Sequence, residues 1–217
     1  MNTAEFRVHI RENVVSPSYR GWGHFWKTTL TGFVGIAVCI WLMRDVTARE
    51  LLTVPVILVY AILAEYLLHR GPMHHNWPYL ASVYEHTTIH HRYFTYDEYG
   101  YDDPGDFAAL LLPVTIIGVL FVGFYLPIGV LLYFFVSPNM AYLVVATALA
   151  YFLSYEWLHL AYHASEEALV SKLPTIRALR SHHRLHHDPA LMSRYNFNIT
   201  IPLFDWLFGT IYQGGPK

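Results

Sequence analysis

The chain has 217 residues, of which 54% are hydrophobic and only 14% are charged. That length is enough for one domain, and the composition is too apolar for an ordinary soluble one. The single cysteine, Cys39, excludes a disulfide framework, a cysteine-ligated zinc site and an iron–sulfur cluster. The net charge of −2 gives no reason to expect a nucleic-acid partner.

Four apolar runs predict transmembrane α-helices, because about 20 apolar residues are needed to cross the hydrocarbon core of a bilayer. In chain order the predicted spans are about 28–43, 51–68, 107–125 and 139–158. Trp22 and Trp26 precede the first span, where an interfacial aromatic belt is expected. The turn between the third and fourth spans stays open. It lies near Pro127, or near Ser137 with residues 125–136 in the interface.

Twelve of the fourteen histidines fall into four clusters, two after the second span and two after the fourth. The clusters are His69, His74 and His75; His86, His90 and His91; His159 and His163; and His182, His183, His186 and His187. Imidazole is the commonest metal ligand. One isolated pair would favour a packing or surface role, but four clusters favour a metal site. The other two, His9 and His24, are interpreted as interfacial residues.

The spacing within the clusters shows how they can converge. Residues four apart share one face of a helix, as do His86 with His90, His159 with His163, and His183 with His187. The second member of each His-His doublet turns roughly 100° further, so a doublet can reach a neighbouring metal or a hydrogen-bond partner of the ligands. His69 and His74 are five apart with Gly71 and Pro72 between them. We therefore expect His69 to end one helix and His74 to begin the next segment.

Ten histidines are predicted to be metal ligands, enough for two ions with about five ligands each. They are His69, His74, His86, His90, His91, His159, His163, His183, His186 and His187. For His75 and His182 two roles stay open: each either binds a metal or forms a hydrogen bond to a residue that does. Glu65 and Glu156 are predicted to partner ligating histidines. Neutral nitrogen ligands suit iron, zinc or copper.

The clusters can share metals only if they lie on one side of the membrane. Residues 107–158 must therefore cross twice, which gives two hairpins. Twelve of the fourteen lysines and arginines lie on that side, and only Arg44 and Arg49 lie opposite. The positive-inside rule then places both termini and the metal site in the cytoplasm. The predicted fold is an all-α integral membrane protein: four transmembrane helices in two hairpins, with a cytosolic histidine-rich cap formed by residues 69–106 and 159–217.

The ordered histidine motifs resemble those of the membrane fatty acid hydroxylase and sterol desaturase superfamily over roughly residues 60–212. The motifs are H-x4-H at His69 and His74, H-x3-HH at His86, His90 and His91, H-x3-H at His159 and His163, and H-x2-HH at His183, His186 and His187. The tail PLFDWLFGT, residues 202–210, is similar to the terminal signature of that family. The order of the motifs and the EYLLHR stretch resemble fatty acid or sphingolipid 2-hydroxylases most.

The resemblance implies a di-iron centre that activates O2 and oxidises a C–H bond of a membrane lipid. It implies two iron ions, which zinc can replace in a purified sample. The chain holds no flavin or nicotinamide motif, so we expect an external electron donor such as ferredoxin or cytochrome b5 with its reductase. The second motif has three residues before its doublet, where those hydroxylases often have two, and these 217 residues include no cytochrome b5 domain. A sterol-like or carotenoid substrate, and desaturation instead of hydroxylation, therefore stay open.

Three other classes stay open on the residues alone. A membrane zinc hydrolase would use the same ligands, although the sequence lacks the H-E-x-x-H motif. A non-catalytic metal-binding or transport protein would carry its histidines within the spans. A haem protein would need two histidines at membrane depth, and not twelve at the ends of spans.

Overall fold

The computed structural model describes residues 1–214, and all regular structure in that range is helical, which confirms the predicted all-α class. In chain order the α-helices are α1 (Thr3–Asn13), α2 (Gly21–Leu42), α3 (Ala48–Leu51), α4 (Thr53–Leu68), α5 (Ala81–Tyr93), α6 (Val114–Leu120), α7 (Leu126–Phe135), α8 (Pro138–Tyr162), α9 (Pro174–His186) and α10 (Leu203–Leu207). Two π-helical segments, His69–Met73 and Phe121–Tyr125, follow α4 and α6 without a break.

Four helical runs are long and apolar enough to cross a membrane, as predicted. They are Gly21–Leu42, Ala48–Met73, Pro104–Phe135 and Pro138–Tyr162. The described chain therefore has the helices of a multi-pass membrane protein. The first run begins earlier than predicted and includes Trp22 and Trp26. The third run continues to Phe135, so the chain turns at Ser137 and not at Pro127.

Helix α8 is the central element of the bundle. It packs against α2, α4 and α7, and 50% of its apolar stretch is buried, against 17% for α2. Helix α2 approaches it closely at Gly32, where a Cβ would lie 2.9 Å from a methyl carbon of Leu153. Small residues at such interfaces let membrane helices come close. The C-terminal end of α8, which carries two of the histidines, is thereby held in the middle of the structure.

Both π-helical segments lie next to a proline. Pro72 lies inside the first segment, and Pro127 follows the second by two residues. A proline has no N–H to donate, and its ring clashes with the carbonyl four residues earlier, so the helix must break or widen. The sequence predicted that a helix ends at His69 and that His74 begins the next segment. The α-helix does end there, with His69 as its C-cap, but no break follows, because the widened turn accommodates Pro72 and the helical path continues to Met73.

Two connections at the end of the bundle away from the histidines contact each other. Asn139 donates from Nδ2 to the carbonyl of Arg44 at 2.7 Å, and its Oδ1 accepts from the Arg44 N–H at 3.0 Å. Glu50 accepts hydrogen bonds from Ser137 Oγ and from Asn139 Nδ2. The turn between α2 and α3 and the turn between α7 and α8 therefore lie at the same end.

The N-terminal helix α1 is fixed to the histidine end by the buried side chain of Arg7. Its Nε donates to the carbonyl of Tyr93 at 2.8 Å, and Nη2 donates to the carbonyls of Glu98 at 2.7 Å and Gly100 at 3.0 Å. An ion pair with Asp102 at 3.0 Å satisfies the rest of the guanidinium. Arg7 thereby orders the loop after α5, whose backbone contacts the histidines.

Gly21→Ala is expected to destabilise the protein, because a Cβ at that position would lie 1.8 Å from the carbonyl oxygen of Pro104. Forcing extra volume into a packed position costs about 1–3 kcal/mol. Gly118→Ala is the matched control, since a Cβ there meets nothing within 4 Å. Thermal unfolding in detergent should give a lower midpoint for Gly21→Ala alone. Equal midpoints would contradict the close contact between the start of α2 and the turn at Pro104.

Candidate metal centre

The four histidine clusters meet at one end of the bundle. Eight of the ten predicted ligands form two groups, in each of which one nitrogen per imidazole lies within 4.8 Å of the others. The first group is His69, His74, His91 and His186, and the second group is His90, His163, His183 and His187. Every one of these residues is buried except His74 and His91, which are half-buried.

In two of the four His-His doublets, the two members belong to different groups. His90 and His91 on α5 are divided between the groups, and so are His186 and His187 at the end of α9. The rotation of 100° per residue accounts for this division, as the sequence predicted. Helices α5 and α9 therefore contribute to both groups, whereas the α4 end contributes only to the first and the α8 end only to the second.

The π-helical segment explains how residues five apart reach the same group. A π-helix closes its hydrogen bonds from residue i to residue i+5, so it brings His69 and His74 to one side. Their rings are stacked, with centroids 5.2 Å apart and an interplanar angle of 23°. A regular α-helix would have pointed the two rings in different directions.

Two predicted ligands lie outside both groups. His159 borders the second group, with its Nε2 3.2 Å from the Nε2 of His90. His86 lines a small cavity together with His90, His159 and His183. Of the two histidines with open roles, His75 is exposed and lies outside both groups.

Backbone carbonyls orient five of the imidazoles through Nδ1. The acceptors are Phe197 for His69, Ala109 for His90, Tyr99 for His163, Tyr195 for His186 and Phe94 for His187. A carbonyl can only accept, so each of these Nδ1 atoms carries a hydrogen. A neutral ring in that tautomer presents the lone pair of Nε2 on its other side, which is the form that binds a metal.

The resulting Nε2 atoms face one another without hydrogen atoms between them. His90 and His187 have their Nε2 atoms 3.2 Å apart, and both Nδ1 hydrogens are already donated to carbonyls. Two lone pairs at this distance repel unless a cation lies between them. The separation fits two ligands of one ion at metal–nitrogen distances of about 2.1 Å. His163 Nε2 and both ring nitrogens of His91 are buried without a hydrogen-bond partner among residues 1–214. This donor set fits metal ions.

Burial keeps the imidazoles neutral, because the charged form would lose its hydration. It lowers the pKa of His187 and of His74 to about 3, and the pKa of His86 to about 4. The pKa values of five further buried or half-buried histidines are lowered for the same main reason: His90, His91, His163, His183 and His186. Near pH 7, therefore, bound protons do not compete with metal for these nitrogens.

Asp205 holds the chain segment that orients two ligands of the first group. Its carboxylate accepts from the backbone N–H of Phe197 at 2.9 Å and of Asn198 at 2.7 Å. The carbonyl of Phe197 accepts from His69, and the nearby Tyr195 carbonyl accepts from His186. The aspartate of the PLFDWLFGT tail thus acts on the site through the backbone.

His182 lies outside both groups and contacts the same carboxylate. Its Nε2 is 3.2 Å from Asp205 Oδ2, and Thr210 Oγ1 donates to Asp205 at 2.7 Å. Burial acts to raise the pKa of Asp205, but these hydrogen bonds outweigh it and the pKa is lowered. Asp205 is therefore ionised near neutral pH. His182 contacts this carboxylate and does not belong to either histidine group.

Glu65 and Glu156 were predicted to contact ligating histidines, but their hydrogen bonds in the structure go to other groups. Within residues 1–214 the donors to Glu65 include the Tyr151 hydroxyl at 2.5 Å, the Thr200 hydroxyl at 2.8 Å and the Ile199 N–H at 2.5 Å. Glu156 accepts from the Leu112 N–H at 3.1 Å. Backbone, hydroxyl and amide donors thus satisfy Glu65, which the sequence assigned to an imidazole, whereas Glu156 has one oxygen bonded to Leu112 and the other, Oε2, buried without a partner among residues 1–214. Glu65 instead joins α4, α8 and the segment after Phe197.

Several supporting groups were missed by sequence reasoning. The carbonyl acceptors of the imidazoles left no signal, because every residue has a carbonyl. Asn198 is fully buried and donates from Nδ2 to the Ile62 carbonyl at 3.0 Å and to Glu65 at 3.1 Å. Its position beside Ile199 in the tail, a polar residue next to apolar ones, was the available clue.

Asp205→Ala is expected to weaken metal binding in the first group by about 10–100-fold, the usual effect of losing a partner behind the ligands. The acceptors of His69 and His186 would lose their anchor, whereas the second group does not depend on that segment. Glu167→Ala is the control, because Glu167 is an exposed carboxylate. When Asp205→Ala is titrated with a chelator, the metal of the first group should be lost at a lower chelator concentration than the metal of the second group, which gives two separate steps. A single step identical to that of the control would contradict this role.

The fold and the site together define a multi-pass membrane protein with a buried polyhistidine metal-binding centre at one end of its spans. This chain belongs to the fatty acid hydroxylase family: the model of that family, described as fatty acid hydroxylase, matches residues 54–210. All four histidine clusters and the tail motif lie in the matched range. The resemblance found in the motifs is thereby confirmed, and membership supports a lipid hydroxylase.

A solved structure shares the fold. The structure titled full-length scs7p, in which only the hydroxylase domain is visible, superposes with a TM-score of 0.63. The sequences are 21% identical, and the match covers 93% of this chain and 70% of that chain. At this identity the likeness shows the fold alone. No curated protein sequence matches the chain.

Proposed function

We propose that this protein is an O2-dependent hydroxylase that oxidises a C–H bond of a fatty acyl chain at a di-iron centre. The observation that carries the proposal is that His69, a member of the first histidine group, lines an apolar cavity between the membrane-spanning helices. A polyhistidine site at such a place suits an apolar substrate taken from the bilayer.

The apolar cavity between the helices encloses about 740 Å³ of space not filled by atoms, a volume that includes its open side. Five residues line both this cavity and the smaller one among the histidines: His69, Met73, Leu112, Tyr155 and Ile199. The two cavities therefore adjoin along these residues. A lipid chain in the larger cavity would come close to the histidines at this boundary, while its polar head stays near the cap.

We propose that the first group holds one iron ion and that the second group holds the other, with His86 and His159 supplementing the second. Zinc suits the same nitrogens and can replace iron in an overexpressed sample. Bound iron supplies the activation of O2 and the oxidation of the C–H bond. The protein residues orient the imidazoles through backbone carbonyls. The apolar wall formed by Met73, Leu112 and Ile199 excludes water and positions the chain.

The orientation in the membrane follows from charge. Twelve of the fourteen lysines and arginines lie in the segments on the histidine side, and Arg44 and Arg49 lie on the other. We propose that both termini and the metal site face the cytoplasm. A side-specific reporter fused after Lys217 should report from the cytoplasm, and one inserted at Asp45 should report from outside. The reverse pattern would refute this orientation.

Iron content and lipid products test the function together. Cells that express the protein should contain hydroxylated lipids that cells without it lack, and the protein purified with iron should hold two iron ions per chain. His163→Ala should lose the product and one iron, whereas His75→Ala, which changes an exposed histidine, should keep both. Lipid mass spectrometry and plasma mass spectrometry measure the two quantities. A stoichiometry near one, or hydrolysed lipids instead of oxidised ones, would refute the proposal.

A further inference from the structure

The lower end of the apolar cavity is closed by two aromatic residues. Phe124 and Tyr125 line the cavity, and Tyr125 is buried. Beneath the cavity Tyr125 packs in one cluster with Ile57 and Val144. The wall at this level includes the small residues Ala61 and Ala148. Phe124 and Tyr125 therefore place two large rings beside two small side chains.

The blocking residues belong to the π-helical segment Phe121–Tyr125, which is fixed to the opposite wall. The Tyr60 hydroxyl on α4 donates to the carbonyl of Phe124 at 3.3 Å. The Tyr60 ring meets the Tyr125 ring edge to face, with centroids 5.8 Å apart. Pro127 cannot donate a helical hydrogen bond, and the helix widens just before it. Both contacts come from Tyr60, so one side chain of α4 holds Phe124 and Tyr125 in place.

We propose that Phe124 and Tyr125 are the stop that limits how long an acyl chain this enzyme accepts. The inference rests on the proposed function, since it concerns the same lipid site. Ala61 lies eight residues before His69 on α4, so the cavity extends about 12 Å below the metal centre. When the carbon to be oxidised lies at the histidines, the rest of the acyl chain, from that carbon to the methyl end, occupies the cavity below. A longer chain has to displace the aromatic rings or leave its reacting carbon out of position.

Binding to the metal-loaded protein without a reductant tests the stop independently of catalysis. The purified protein is incubated in detergent with an equimolar mixture of saturated fatty acids of graded length. The ratio of bound to free acid for each length is measured by mass spectrometry. For the unmodified protein, chains beyond a limiting length should be depleted roughly tenfold, the penalty expected for overfilling a packed site.

Variants at the floor and at the walls should move the limit in opposite directions. Tyr125→Ala and Phe124→Ala should move it to longer chains, because they remove the block. Ala61→Leu should move it to shorter chains, because it fills the cavity from the α4 side. Val122→Ala is the control, since Val122 lies in the same π-helical segment but is 61% exposed. General loosening of the fold cannot produce shifts in both directions.

The iron-loaded enzyme gives a second measurement of the same limit through the lengths of its hydroxylated products. Shifted binding lengths in an enzyme that oxidises no lipid would refute the proposed function but support the stop. Unshifted binding and product lengths for Phe124→Ala and for Ala61→Leu would overturn the stop, even in a fully active hydroxylase. Because these two variants are separate from Tyr125→Ala, the test survives if the loss of that buried ring prevents folding.

Discussion

His183→Ala is expected to empty the metal position of the second group and to abolish turnover, whereas His182→Ala is expected to keep both metals. The run HHRLHH can be read in two registers from sequence alone, and the structure distinguishes the two residues. His183 is 1% exposed, and its Nε2 lies 3.2 Å from that of His187 within the second group. His182 points to Asp205 instead. Loss of His182 should therefore cost about 10–100-fold in activity.

The two variants are controls for each other, because they remove the same side chain from adjacent positions. Metal per chain is measured by plasma mass spectrometry, and turnover is measured on the same preparations. If His182→Ala loses a metal while His183→Ala retains both, the assignment of ligands at the end of α9 is wrong.

Turnover is expected to be absent when the purified, iron-loaded enzyme receives only lipid and O2. Hydroxylation of a C–H bond by O2 places one oxygen atom in the product and reduces the other to water, which consumes two electrons. Residues 1–217 contain one cysteine and no flavin or nicotinamide motif. The electrons must therefore come from outside these residues, and a ferredoxin or cytochrome b5 with its reductase is the donor we propose.

Adding either donor system with its reduced nicotinamide cofactor should start product formation. Boiled reductase is the matched control, because it keeps every small molecule and removes only electron transfer. Repeated turnover without any reductant would refute the class of enzyme proposed here.

The spans and the composition of the site could be predicted from sequence because both depend on local periodicity. Apolar runs of sufficient length gave the four membrane helices. The 100° rotation per residue predicted that a doublet can reach a neighbouring metal or a position behind the ligands, and His90 with His91 and His186 with His187 do reach two groups. These properties need no knowledge of which helices are neighbours.

The features that were missed depend on contacts between distant segments. The π-helical segment at Pro72 was predicted as a break, since local propensity cannot show that the packed structure accommodates a widened turn. Glu65 was assigned to a histidine, but residues more than eighty positions away supply its donors. The division of the ligands into two groups, and the cavity beside them, arise only when α4, α5, α8 and α9 are brought together.

Hydroxylation by O2 is tested most directly by isotope labelling of the product. The iron-loaded enzyme, its lipid substrate and a reductase chain are incubated under isotopically labelled O2 in ordinary water, and the lipid is analysed by mass spectrometry. One labelled oxygen atom per hydroxylated lipid is the predicted result. A product whose new oxygen comes from water, or one that contains no new oxygen, would contradict it.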